Sequence, residues 1–155
     1  RRVKHTGRER KRMIEVKFYE DVPDGRLKFA VILTRHRGQW VFCKHRERES
    51  WEVPGGHREP GETIRETAER ELREETGALE FSIRPVCVYG VTGRTRGNET
   101  SEETFGKLFL ADVTSFGEIH SEIEKILVCD ELPGRWTYPE IQPKLLQEAV
   151  RRGFL

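Results

Sequence analysis

The sequence predicts an α/β fold in which helices cover both faces of a β-sheet. Several segments alternate apolar and polar residues or run apolar throughout, as strands do. A helix with clear start and stop signals lies among them, and a second helical pattern closes the chain. Strands on either side of a central helix, followed by a C-terminal helix, are typical of a layered arrangement with the sheet in the middle.

The strands are predicted in chain order from their apolar patterns. Residues 14–19 alternate, and residues 29–33 form a near-continuous apolar run of the kind that is buried on both faces. Residues 36–39 are expected to form a hairpin turn, and the polar residues 92–101 a mobile loop. Further strands are expected at residues 40–43, 81–91, 104–113 and 123–129.

The central helix is predicted between Thr63 and Gly77. Thr63 and Glu66 have the spacing of a capping box. Gly77 stands where a left-handed residue commonly ends a helix, and most residues between are good helix formers. The preceding residues 55–62 contain two glycines and then Pro60-Gly61, so they are expected to form a loop.

The C-terminal helix is predicted to open with a second capping box, Thr137 to Glu140, with Pro139 in its first turn. Gly153 is expected to end it. Its apolar stripe consists of Ile141, Leu145, Leu146, Ala149 and Val150. This helix is expected to serve core packing.

Acidic residues interrupt the apolar face of the central helix. Ile64, Ala68 and Leu72 form its core-facing stripe. Glu71 and Glu75 fall within that stripe, and Glu74 lies beside them. Like charges at this spacing repel one another, more strongly where water is scarce. Arg70 can neutralise one carboxylate, and Mg²⁺, which binds oxygen ligands in a compact octahedron, can hold the others. The alternative is an ordinary solvated, charged helix.

The same stretch resembles a family signature. Gly56, five residues, Glu62, seven residues and then Arg70-Glu71-Leu72-x-Glu74-Glu75-x-Gly77 resembles the signature of the Nudix hydrolases. Ala78 stands where a larger aliphatic residue is usual, which is a packing variation. The order of strands and helices extends the resemblance loosely to residues 13–155. The resemblance implies a Nudix-type α/β/α sandwich with a mixed β-sheet.

The resemblance also implies roles for individual residues. Three residues match the family's metal-binding glutamates: Glu71, Glu74 and Glu75. The carbonyl of Gly55 matches a backbone ligand, and Gly56 permits close approach of the chain to metal and phosphates. Glu62 and Arg70 match the pair that joins the loop to the helix.

Other charged residues are candidates for the same site. A carboxylate of residues 98–103 could complete the metal site or act as general base; the candidates are Glu99, Glu102 and Glu103. Glu103 is preferred because it abuts a strand. Lys44 and His45 follow a strand and could contact phosphates, although a charged turn is the simpler interpretation. His57 is a further substrate-binding candidate and stands where MutT-like relatives often have lysine.

These features favour an Mg²⁺-dependent hydrolase, with Mn²⁺ able to substitute, that cleaves a diphosphate linkage in nucleoside diphosphate-X compounds. Residues 51–56 look similar to MutT-like nucleoside triphosphate pyrophosphatases, which release a monophosphate and pyrophosphate from substrates such as 8-oxo-dGTP. Alternative substrates are nucleotide sugars, dinucleoside polyphosphates and RNA 5′ ends. A non-catalytic nucleotide-binding regulatory module is the third alternative.

Charge and composition set the remaining expectations. Residues 1–12 hold seven Lys and Arg and one Glu, and are expected to be a solvated basic tail or an extension preceding a natural start at Met13. Such a tail could hold RNA electrostatically. Residues 13–155 are expected to form a single domain. Three widely spaced cysteines favour free thiols and a cytoplasmic protein. No membrane span is expected, and Nudix relatives often form homodimers.

Overall fold

The computed structural model describes residues 14–94, 102–119, 121 and 123–155. The predicted basic tail lies outside these ranges, as do Glu99 and most of the predicted loop around it. Along the described chain the elements are β1 (Glu15–Tyr19), β2 (Leu27–His36), β3 (Gln39–His45), β4 (Gly55–His57), α1 (Ile64–Thr76), β5 (Ala78–Thr92), β6 (Thr104–Phe116), β7 (Ile123–Cys129) and α2 (Gln142–Arg151).

The strands form one mixed sheet. Its order is β1-β5-β6-β2-β3-β7, and β4 pairs with β2 beside this path. β2 and β6 run parallel, whereas the other neighbouring strands run antiparallel. Both strands of the parallel pair are central and largely buried. The predicted α/β class and the mixed sheet are confirmed.

Each face of the sheet carries one helix. Three buried residues of each helix enter the core on its own side: Ile64, Ala68 and Leu72 from α1, and Leu145, Leu146 and Ala149 from α2. Full burial of an aliphatic side chain contributes roughly 1.5–3 kcal/mol relative to exposure. The two apolar stripes therefore hold the helices on opposite faces, which confirms the predicted α/β/α sandwich.

The sheet opens between β2 and β3. Their hairpin pairs only at the two residues next to the turn on each strand. Residues 52–57 fill the space beyond: β4 pairs with residues 29–31 of β2, while Glu52 forms a bridge with Cys43 of β3. The double glycine was expected in a loop; it lies instead in a short strand inside the sheet, because β2 has an unpaired edge there.

The ends of α1 are confirmed. The Thr63 hydroxyl accepts the Glu66 N–H at 3.1 Å, and the Glu66 carboxylate accepts the Thr63 N–H at 2.9 Å. Gly77 is left-handed, with φ +77°, and its N–H donates to the Arg73 carbonyl. The Gly77 carbonyl then accepts the N–H of Gly117 at 2.6 Å. The helix end is thereby tied to the chain that follows β6.

The predicted capping box of the C-terminal helix is wrong. The helix begins at Gln142, without a side-chain cap, and Pro143 rather than Pro139 lies in its first turn. Thr137 is engaged elsewhere: its N–H donates to the Trp51 carbonyl, and its hydroxyl lies 2.7 Å from that of Ser50. This contact with a distant segment replaces the local cap.

Other boundaries also differ from expectation. β3 continues through His45, so Lys44 and His45 lie in a strand rather than in a charged loop. β5 begins directly after Gly77, and β6 continues to Phe116. Val150, predicted in the apolar stripe of α2, is 57% exposed. Within the described ranges, no helix is long and apolar enough to cross a membrane.

The left-handed end of α1 generates a stability prediction. Gly77 and Gly61 both have positive φ, +77° and +85°, which costs an L-residue roughly 1–2 kcal/mol. A Cβ at Gly77 would also lie 2.6 Å from the Gly117 carbonyl oxygen, whereas a Cβ at Gly61 would meet nothing within 4 Å. We expect Gly61→Ala to lower the free energy of unfolding by about 1 kcal/mol and Gly77→Ala by at least twice that. Urea denaturation measures both, and equal losses would contradict the steric argument.

Candidate active site

A cavity of about 430 Å³ opens beside the double glycine, a volume within the usual range for small-molecule sites. Two parts of its lining differ in chemistry. The acidic wall consists of Glu52, Glu59, Glu71 and Glu75. The aromatic wall consists of Phe29, Tyr89, Val91, Tyr138 and Ile141. The cavity therefore suits a ligand with one highly charged portion and one flat apolar portion.

Glu75 lies in the opening of the sheet. It is only 6% exposed, and its Oε1 accepts the N–H of Gly55 at 2.9 Å. The Cys43 sulfur lies 4.0 Å from the same oxygen, and His45 Nε2 lies 3.7 Å from Oε2. Burial raises the pKa of the Cys43 thiol well above its ordinary value, and the Glu75 carboxylate raises it further. A helix carboxylate thus occupies the gap between β3 and β4.

The β2–β4 ladder determines where the backbone of Gly55 points. Hydrogen bonds run from Ile32 N–H to the Pro54 carbonyl and from Arg58 N–H to the Lys28 carbonyl. Hydrogen-bonded pairs alternate in an antiparallel ladder, so the amide and the carbonyl of Gly55 both point away from β2. The amide binds Glu75. The carbonyl predicted as a metal ligand faces the same side.

Glu71 covers Gly56. A Cβ on Gly56 would overlap the Glu71 carboxylate, so this position requires glycine for space. The Glu71 side chain is 12% exposed, and its Oε2 accepts a hydrogen bond from Arg70 Nη1 at 3.0 Å. The two glycines and the two stripe glutamates therefore meet at the acidic wall.

Glu74 has a different environment. Its side chain is 52% exposed, it does not line the cavity, and its Oε1 lies 3.3 Å from Arg70 Nη1. In the described part of the chain, no three His, Cys, Asp or Glu side chains are grouped closely enough to hold a metal ion. The structure thus brings Glu71 and Glu75 to one cavity and leaves Glu74 at the solvent-exposed side of Arg70.

Arg70 and Glu62 form the predicted bond between loop and helix. Arg70 donates from Nε to Glu62 Oε2 at 2.5 Å and from Nη2 to Oε1 at 3.1 Å. Nη2 also donates to the His57 carbonyl at 3.0 Å. The Arg70 hydrogen bond is the main reason that the pKa of Glu62 falls to about 2. This two-pronged geometry fixes the chain after β4 against α1.

The structure separates Lys44 from His45. Successive side chains of a strand face opposite sides: His45 lines the cavity, whereas the Lys44 ammonium lies 2.6 Å from Glu124 of β7 and is not part of the lining. His45 Nε2 also lies 3.7 Å from Glu52 Oε1. A phosphate contact through Lys44 would require that ion pair to break.

His57 and Glu103 occupy different surroundings. His57 is exposed and lines the cavity, with its ring 6.1 Å from that of Phe29. Glu103 does not line it. Its carboxylate accepts the Tyr19 hydroxyl at 2.7 Å and lies over Gly90, on the same side of the sheet as α1. The part of Glu103 in metal binding stays a prediction.

Apart from the tyrosines, sequence reasoning missed five polar residues of the described lining: Arg48, Glu52, Glu59, Thr104 and Gln142. Arg48 Nη1 donates to Glu52 Oε2 at 2.8 Å, which places a cation at the acidic wall. Glu52 could have been noticed, because a charge between Trp51 and Val53 breaks an apolar segment. The other positions carry no local pattern, since only the folded chain brings them to the cavity.

The comparison with protein families decides the relationship. The model of the NUDIX domain matches residues 24–148, well over half of the chain. The chain belongs to the NUDIX family. Enzymes of this family act on nucleotide-related pyrophosphates and generally use divalent metal ions.

Individual relatives are more distant. "Putative 8-oxo-dGTP diphosphatase YtkD" of Bacillus subtilis (strain 168) is 38% identical over 65 residues. That stretch is 42% of this chain and 40% of YtkD, so the match spans less than half of the relative.

Solved structures share the Nudix fold. A mutant of the pyrophosphohydrolase BsRppH from Bacillus subtilis has a TM-score of 0.73 at 23% identity, covering 91% of this chain and 92% of that one. A UDP-X diphosphatase has a TM-score of 0.65 at 20% identity, covering 85% and 64%.

The Arg70–Glu62 bond generates a pH prediction. The folded-state pKa of Glu62, about 2, lies below its ordinary value of 4.5. Its contribution to stability is therefore complete above pH 4.5 and is lost as the pH falls towards 2. Glu62→Gln should be less stable than the parent at pH 7, and the difference should shrink between pH 4.5 and 2. Urea denaturation across this range measures it. Glu69→Gln, which removes an exposed i,i+4 pair with Arg65, is the control; an equal pH response in both variants would contradict the assignment.

Proposed function

We propose that this Nudix hydrolase converts a nucleoside triphosphate to the monophosphate and pyrophosphate at the cavity beside Gly55 and Gly56. The observation that carries this proposal is the pairing of an acidic wall with an aromatic wall in one cavity. A polyphosphate chain beside a purine or pyrimidine has the matching division of charge and apolar surface. The volume of about 430 Å³ is sufficient for a nucleotide-sized ligand.

The acidic wall requires a cation before it can receive polyphosphate. Among the described residues of the lining, four carboxylates face one guanidinium, that of Arg48, and this guanidinium is bound to Glu52. Carboxylates at such short range would repel phosphate strongly in a site of low dielectric constant. A divalent cation bound to these carboxylates would make the acidic wall attract phosphate.

The residues present fit Mg²⁺, with Mn²⁺ as a substitute. Glu71, Glu75 and the carbonyl of Gly55 supply hard oxygen donors on one side of the cavity, and Gly56 leaves space beside them. Glu74 and Glu103 would bind the same ion only after their side chains rotate. When bound, the ion would neutralise phosphate charge and lower the pKa of a water molecule.

The protein contributes mainly by positioning the phosphate chain and the attacking water molecule. Water adds to phosphorus, the bridging P–O bond breaks with pyrophosphate leaving, and a carboxylate of the acidic wall accepts the proton of the water. Arg70 and Glu62 hold the loop in register with the helix. Arg48 and His45 line the same wall and would contact the phosphate chain.

The name of YtkD supports an oxidised guanine nucleotide such as 8-oxo-dGTP as the substrate of this chain, through the 65 matched residues alone. A cytoplasmic location rests on the free thiols of Cys43, Cys87 and Cys129. A homodimer stays a prediction.

Substitution of the stripe glutamates tests the catalytic proposal. Glu71→Gln and Glu75→Gln should each lower pyrophosphate release with Mg²⁺ by roughly 100-fold or more, because each removes a charged ligand. Calorimetric titration with Mn²⁺ should show weaker metal binding in both variants. Glu74→Gln should have a smaller effect if Glu74 stays with Arg70. Glu69→Gln, on the same helix, is the matched control. Full activity of Glu75→Gln would refute the proposal.

A substrate screen separates the proposed activity from its alternatives. Phosphate and pyrophosphate release should be measured for dGTP, 8-oxo-dGTP, a UDP-sugar, a dinucleoside polyphosphate and 5′-triphosphorylated RNA. We expect the highest kcat/KM with a nucleoside triphosphate, since the cavity offers one aromatic wall for one base. A higher value with RNA or a UDP-sugar would replace the triphosphate assignment. Binding without hydrolysis of any compound would indicate a regulatory module.

A further inference from the structure

The cavity lining includes a threonine whose buried hydroxyl has no hydrogen-bond partner in the described part of the chain. The residue is Thr104, and its hydroxyl is shielded from solvent. Thr104 opens β6 and lies opposite Val91 of β5, and both residues line the cavity. A buried hydroxyl without a partner costs roughly 1–3 kcal/mol. Its retention at a cavity wall points to a ligand that supplies the missing bond.

Gln142 presents a second polar group with a fixed orientation. Its Oε1 accepts the N–H of Val53 at 2.8 Å, in a side chain that is buried at the start of α2. Because a backbone N–H can only donate, the oxygen of Gln142 must face Val53. The amide nitrogen of Gln142 then points away from Val53, and Gln142 lines the cavity. The cavity wall therefore carries a pure donor.

Two aromatic rings lie near these groups. Phe29 and Tyr89 pack with centroids 5.5 Å apart and with their planes tilted by 59°. They meet above Gly106, where a Cβ would overlap the Phe29 ring and would lie 2.9 Å from Tyr89 Cζ. Glycine at this position thus keeps both rings against the sheet. Phe29, which is the more exposed of the two, is the ring that can lie against the face of a base.

We propose that the Gln142 amide nitrogen and the Thr104 hydroxyl bind the edge of a nucleobase, and that Gln142 selects purines with a 6-oxo group over purines with a 6-amino group. This inference rests on the proposed nucleotide substrate and adds the class of base. The amide N–H donates to a carbonyl such as the 6-oxo group of guanine or hypoxanthine. Opposite adenine, the Gln142 N–H would face the N–H groups of the 6-amino group, so no hydrogen bond would form. The Thr104 hydroxyl is shielded from solvent, so it would reach the base after rotation of its side chain. It donates or accepts, so it adds affinity without selecting.

Inosine and adenosine triphosphates test the selection, because their bases differ at position 6 and the adjacent ring nitrogen. We expect the parent enzyme to hydrolyse ITP with a kcat/KM roughly 10-fold above that for ATP. Calorimetric titration of the enzyme with each nucleotide, with Ca²⁺ in place of Mg²⁺, should show that ITP also binds roughly 10-fold more tightly than ATP. Preference in binding without hydrolysis would uphold the base site and refute the catalytic proposal. Equal values for the two nucleotides, or no binding of either, would overturn the base site.

The Gln142→Glu variant should remove the preference. The carboxylate keeps an acceptor for Val53 N–H but replaces the donor with a second acceptor, so the ITP/ATP ratio should fall to about 1 or invert. The ratio cancels any general repulsion of phosphate by the added charge. Gln147→Glu makes the same change at an exposed position of α2 and should leave the ratio near 10. An unchanged ratio in Gln142→Glu would contradict the assignment.

Thr104→Val tests the hydroxyl separately. The variant should bind both nucleotides several-fold more weakly, while its midpoint of urea unfolding stays equal to the parent's or rises, because an unsatisfied polar atom is removed. A purely structural role for the hydroxyl would lower stability instead. Unchanged nucleotide affinity would remove Thr104 from the site.

Discussion

The hydrogen bond from Gly55 N–H to Glu75 is the interaction on which the site depends. The sheet opens where β2 and β3 diverge, and β4 satisfies only the β2 side of that opening. The outward amide of Gly55 would otherwise be a partly buried donor without a strand partner, which is costly. A side chain from α1 supplies the acceptor at 2.9 Å. The bond therefore fixes the last turn of α1 against the sheet.

This arrangement places charge where a helix does not favour it. Glu74 and Glu75 lie in the last turn of α1, where the helix dipole disfavours carboxylates by typically 0.3–1 kcal/mol. The Arg70 guanidinium lies within 4.0 Å of four carboxylates, those of Glu59, Glu62, Glu71 and Glu74. The negative charge that remains on α1 has to be balanced at the cavity. A helix designed only for stability would not carry this pattern, which is why it indicates function.

The central helix was predictable because its signals are local. Thr63, Glu66 and Gly77 act within a few residues of the helix they limit, and the stripe of apolar residues identifies the buried face. The placement of Glu71 and Glu75 follows from the same periodicity. Glu74 was harder to place, because its exposure depends on the Arg70 side chain beside it.

The opening of the sheet was not predictable in the same way. Gly55 and Gly56 look like a loop in sequence, since no apolar alternation surrounds them, and β4 is a strand only because β2 offers an edge. Likewise, nothing local distinguishes His45 from Lys44, whose opposite orientations follow from the extension of β3. Tertiary pairing decided both outcomes.

The misplaced start of α2 shows how a local rule can fail at a site. Thr137 has the sequence of a cap, yet it bonds to Ser50 and Trp51 and holds the chain beside the double-glycine segment. The helix begins at Gln142, two residues after the end of the predicted capping box at Glu140, and it has no side-chain cap. Ile141 occupies the N-cap position and has no side-chain acceptor to offer. The side chain of Gln142, the first residue of the helix, instead accepts the N–H of Val53. Its orientation at the cavity wall is therefore set by the segment that leads into the double glycine and not by the helix that it begins.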